Sequence, residues 1–203
     1  MKGLSVNRVY KGLQEEGMFY GHPAVFLNLK PLPVVPEGYD FQIPEQVGLS
    51  ILMAGLADTN YLVINGNPLL QWDSLIKLYS YLRPSKIEIQ TEGTIFDQKK
   101  VGVLSGVHSL YYAISPNYGK FSKEWATVNI PNVTVFFKFL VSEEKDVEKV
   151  AIFAQHYELR TGDIYLIPNV QDNENLIPTL TTIFKLAVRY NMKASPKLCG
   201  LSI

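Results

Sequence analysis

Apolar and polar residues alternate along this chain in two rhythms, and the switch between them outlines the elements. Residues 4–13, 23–29, 61–65, 86–91, 110–114, 134–141 and 163–167 are rich in β-branched and aromatic side chains and read as strands. Within 86–91 the alternation is clean, with Ile87 and Ile89 set against Glu88 and Gln90. Helical spacing takes over in 45–57, opened by Pro44 in a first-turn position, and in 69–82, where Leu75, Leu78, Tyr79 and Leu82 share a face. Two more helices are predicted: 143–157, capped by Ser142 with acidic residues in its first turn, and 175–190. The stretch 31–44 carries Pro31, Pro33, Pro36 and Pro44 and reads as an irregular loop. The last dozen residues read as a tail. Strands alternating with helices indicate an α/β fold with a largely parallel sheet, as one domain over 1–203.

Composition narrows the function classes. Of the 203 residues 47% are hydrophobic and 19% charged, which suits a globular chain. Nineteen Lys plus Arg offset nineteen Asp plus Glu, which argues against a nucleic-acid binder working through a broad basic face. The amino terminus has no apolar signal region, and no run approaches the roughly 20 apolar residues of a membrane span. A soluble, cytoplasmic protein is expected, in the host cytoplasm for a viral copy. Cys199 is the single cysteine, so no internal disulfide and no four-cysteine site can form, and no base beside it marks it as reactive. His22, His108 and His156 are scattered without metal-ligand spacing, so no metal site is expected. Glu15 and Glu16 are adjacent, which on a strand sends them to opposite faces and argues against a catalytic pair.

A collinear set of short motifs changes the picture. Residues 13–17 (LQEEG) resemble LQGEG, and 21–26 (GHPAVF) resemble G-x-P-A-x-F. Residues 63–71 (VINGNPLLQ) resemble TGGEP followed by LLQ, and 87–94 (IEIQTEGT) are close to IEIETNGT. Ile114-Ser115-Pro116, the FKFLV of 137–141, the IYLIP of 164–168 and residues 187–198 continue the series. Together these segments resemble the 7-carboxy-7-deazaguanine synthases, a radical S-adenosylmethionine family, over nearly the whole chain. The resemblance implies an incomplete (β/α) barrel of about six strands, and a homodimer.

The departures fall where that family's chemistry sits. Its three cluster cysteines correspond to Leu32, Pro36 and Tyr39, none of which can ligate iron. The glutamate of GGEP, implied to meet the cofactor's ammonium, is Asn67. The arginine implied to pair with the substrate carboxylate is Asn28, the threonine associated with magnesium is Phe41, and the lysine after Ser115-Pro116 is Asn117. By contrast Gln14, Glu16, Thr91, Gly93 and Lys138 match the family. These five are the candidates for a remnant ligand pocket. Gln14 and Glu16 read equally as braces of the first turn; 65–68 could cradle a small molecule with their backbone but read rather as a strand-to-helix turn, and Gly93 as another turn residue. Tyr10, Phe19, Tyr20 and Phe26 read either as a platform for a purine or pterin ring at the old mouth or as core.

The expectation is therefore a protein that is not an enzyme: a degenerate homologue without cofactor, acting as a regulator, decoy or structural subunit for an unidentified protein partner. The competing expectation is a binder of, or a non-radical enzyme on, a pterin- or 7-deazaguanine-like small molecule. In the loop 30–41, Leu32 and Phe41 are expected to pack inward, leaving Val34, Val35 and Tyr39 for protein contact.

Overall fold

The computed structural model describes residues 3–30, 42–170 and 176–197. The expectations for the loop positions Leu32, Val34, Val35, Pro36, Tyr39 and Phe41, and for Cys199, lie outside the described residues.

One eight-stranded sheet carries the fold, with its strands in sequence order. Strand β1 (Val6–Leu13) pairs antiparallel with β2 (Pro23–Leu29). Then β3 (Tyr61–Asn65), β4 (Lys86–Thr91), β5 (Ser109–Ile114), β6 (Val133–Val141) and β7 (Ile164–Pro168) add on in parallel, and β8 (Lys193–Ala194) closes the series. The six full parallel strands β2 to β7 agree with the expected barrel. Each crossover moves the chain on by one strand in the same direction, which curls the sheet instead of winding it both ways. Among the described residues β1 and β8 do not pair, so the barrel stays open.

The helices α1 (Pro44–Met53), α2 (Leu56–Thr59), α3 (Trp72–Tyr79), α4 (Gln98–Gly102), α5 (Glu144–His156) and α6 (Leu176–Arg189) join these strands. Val25, Leu27, Ile64, Ile87, Ile89 and Leu166 form one continuous core with Trp72, Leu75, Val150 and Ile183 of the helices. Each such burial contributes roughly 1.5–3 kcal/mol against the unfolded chain. The alternate positions of the same strands therefore face the lumen.

Four local expectations need correction. The helix expected over 45–57 breaks at Gly55, whose φ of +93° is left-handed and cannot continue a right-handed helix. The helix expected over 69–82 opens as a 3-10 turn, Pro68–Gln71, before α3 begins. Ser142 does not cap α5; the carboxylate of Asp146 reaches back and accepts the Ser142 backbone N–H at 3.0 Å. The tail contains β8, and past it the Ser195 hydroxyl accepts the Gly17 N–H at 2.8 Å. Two residues of pairing are too few to show as a pattern.

Candidate functional site

Strand register stacks the lumen side chains in rungs. Asn28 stands opposite Asn65, and the adjacent pairing of Ile64 with Ile89 brings Gln90 onto the same level. Below them Phe26, Val63, Glu88 and Tyr111 share a rung. Lower still, Tyr61 pairs with Lys86. The polar half of the alternation in β4 thus points inward, and Glu88 is only 1% exposed.

A buried carboxylate is costly unless hydrogen-bonded. Glu88 takes Gln14 Nε2 at 2.7 Å and Gln90 Nε2 at 2.8 Å on one oxygen, and the Tyr61 hydroxyl at 2.5 Å on the other. Burial, reinforced by the Glu88 charge, pushes the Tyr61 phenol well above its ordinary value, so this hydroxyl remains a donor. Lys86 lies over the Phe19 ring at 3.9 Å and the Tyr61 ring at 5.0 Å. Burial lowers its pKa, opposed by the charge of Glu88.

Above this network opens a cavity of about 340 Å³. Tyr10 and Phe26, opposite one another on β1 and β2, stack at 5.0 Å and 10° to form one wall, and the Arg8 guanidinium lies 4.7 Å over Tyr10. Asn28, Asn65 and Gln90 form the facing amides, and Gln14 and Glu16 close the base. Glu16 pairs with Lys138 at 2.8 Å, with Lys197 at 4.0 Å. A second cavity of about 280 Å³ lies on the Lys138 side and shares Glu16 and Lys197 with the first.

The structure brings Gln14, Glu16 and Asn28 together on the first cavity, with Lys138 one ion pair away. It does not bring Thr91 and Gly93 there. The Thr91 hydroxyl accepts the Gly93 N–H at 3.3 Å within a turn, and a Cβ on Gly93 would lie 2.7 Å from Ile114, behind the sheet. Asn67 is a left-handed turn residue (φ 58°), and Asn117 accepts the Gly119 N–H in an exposed turn. Phe19 is not at the mouth: it packs against Tyr61 and Tyr111 at the opposite end of the barrel. Glu88 and Gln90 are site residues that sequence reasoning missed, although the alternation of β4 had singled them out.

The iron–sulfur cluster implied by the resemblance does not fit the donors of this chain. Three thiolates are needed, and Cys199 is the single cysteine. Among the described residues no group of three His, Cys, Asp or Glu converges, and no helix is long and apolar enough to cross a membrane.

No family model matches the chain. It is 27% identical to a 7-carboxy-7-deazaguanine synthase of Pyrobaculum aerophilum, covering 96% of this chain and 92% of the relative. A protein of the same name from Hyperthermus butylicus is 25% identical over 96% of this chain and 91% of its own length. The fold resembles the crystal structure of QueE from Escherichia coli with a TM-score of 0.59, at 16% identity, covering 96% of this chain and 93% of that one. Relatives that match nearly end to end carry the name of an enzyme, which overturns the expectation that this chain is not one. Over most of its length the chain is thus similar, at 25–27% identity, to proteins named 7-carboxy-7-deazaguanine synthase, and its open barrel has the fold of QueE.

Proposed function

We propose that the chain is an enzyme that takes a planar pterin- or 7-deazaguanine-like heterocycle into the lumen cavity, and whose chemistry does not run through a cluster held by its own cysteines. The observation that carries this reading is the cavity itself. Its volume of about 340 Å³ falls within the roughly 300–1,000 Å³ range of small-molecule sites. The Tyr10–Phe26 wall offers a flat apolar face, and Asn28, Asn65 and Gln90 offer hydrogen bonds at its edge. A flat ring with a polar rim needs both. The name carried by the relatives supports a deazaguanine-type ligand. Glu16 and Lys138, paired between the two cavities, are the groups able to take up and return a proton.

Calorimetric titration with pterin, pterin-6-carboxylate and 7-deazaguanine tests the proposal. Binding of at least one of them is expected, weakened in Tyr10→Ala, which removes the aromatic wall. A folded protein that gives no heat with any of the three would refute it.

A further inference from the structure

Most charges that line the lumen cavity are committed to one another. Lys11 is held by Asp58 at 3.1 Å, and Glu16 by Lys138 at 2.8 Å, with Lys197 4.0 Å from its second oxygen. Arg8 lines the same cavity, yet among the described residues no carboxylate pairs with its guanidinium and no hydrogen bond holds it. What positions it is the Tyr10 ring, 4.7 Å away. An arginine lodged over a ring face gives up no hydrogen-bond donor to that contact, so its fork stays available. Arg8 stands opposite Asn28 near the upper end of β1, and Leu13, opposite Pro23, ends the strand before Glu15 and Glu16. The strand from Arg8 to Leu13 spans about 16 Å at about 3.3 Å a residue. An anionic group at the lower end would have to displace Glu16 from its lysines, with the Glu15 carboxylate alongside. At the upper end it meets a guanidinium with nothing to displace.

We infer that Arg8 is a specificity-determining residue that selects heterocycles carrying a carboxylate and holds that group at the upper end of the cavity. The planar guanidinium matches a carboxylate through two parallel N–H···O bonds, which fixes direction as well as charge. The inference rests on the reading that the cavity holds a planar heterocycle, and it adds the substituent and the residue that chooses it. Arg8 lies outside every motif by which the chain resembles the synthases, the first of which begins at Leu13. The selectivity is therefore a property of β1 in this chain.

Pterin and pterin-6-carboxylate, fluorescent rings that differ by the carboxylate alone, make the test. Each is titrated at low salt against the unaltered protein and against Arg8→Gln, with folding checked by circular dichroism. Arg8 is exposed, so its replacement leaves the core untouched, and its contact falls at the weak end for a charge-assisted one. The unaltered protein should bind pterin-6-carboxylate about five- to tenfold more tightly than pterin. Arg8→Gln should bring the two affinities together. Lost support for the Tyr10 wall would weaken both rings alike, so the ratio of affinities reads the carboxylate contact and not a structural role. A preference that survives Arg8→Gln, or no preference in the unaltered protein, overturns the inference while the ligand reading stands. Failure of both rings to bind the unaltered protein overturns both.

Discussion

Replacing Gly66 with alanine puts two separate demands of the fold on one experiment. Gly66 follows β3 with a φ of +82°, and a Cβ built on it would lie 2.1 Å from the carbonyl oxygen of Leu29, at the end of β2. The left-handed backbone costs an alanine about 1–2 kcal/mol. The overlap adds to that, since the obstacle is a backbone oxygen of a residue paired with β1 and cannot swing aside; overpacking of this kind costs about 1–3 kcal/mol. The sum is about 2–5 kcal/mol. For a chain of this length each kcal/mol lowers the thermal midpoint by about 2–4 °C, so Gly66→Ala should lose about 4–20 °C. Gly21 provides the control, because its φ is +79° but no atom lies within 4 Å of the added Cβ. Gly21→Ala should show the backbone cost alone, about 2–8 °C. Calorimetric melting of both variants, without ligand, measures the difference. Equal midpoints would refute the steric argument.

The carboxylate of Asp146 is held below its ordinary value of 3.8, chiefly by the Ser142 backbone N–H. Its stabilisation is therefore present above that value and lost as pH falls through the lower folded value. Asp146→Ala should cost about 0.5–2 kcal/mol at pH 7 in urea unfolding, with the gap from the unaltered protein narrowing as the solution is acidified through that range. A gap that does not depend on pH would contradict the cap. Anaerobic incubation with iron and sulfide should leave the protein without thiolate-to-iron charge-transfer absorbance, because Leu32, Pro36 and Tyr39 offer no thiolate. Stoichiometric iron with such bands would show that other donors serve.

Strands β2, β3 and β4 begin and end where the apolar pattern placed them, because each is buried on its helix-facing side and bounded by turn residues. The site was less legible, for a reason rooted in the barrel. In a sheet with one wet face, the polar half of an alternation points to solvent. Here that half points into the lumen, so Glu88 and Gln90 are enclosed, and nothing local in the sequence distinguishes the two cases. The Tyr10–Phe26 stack depends on the antiparallel register of β1 with β2, and the Glu16–Lys138 pair spans 122 positions of sequence. Neither is encoded by spacing.

The same geometry weighs the motifs that resemble the family. Gly66 and Gly93 are required by the packing of Leu29 and of Ile114 with Phe121, so their agreement with the family motifs follows from the scaffold whatever the protein does. Glu88 is different. A buried carboxylate surrounded by hydrogen-bond donors confers little net stability over an apolar side chain of similar size, since its desolvation offsets most of what its partners return. The neighbouring lumen positions show that apolar filling is available to this barrel: Val63 shares its rung, and Phe136 and Ala113 lie on strands beyond. Packing alone therefore gives no reason for Glu88 to hold two glutamines and a tyrosine beneath a cavity.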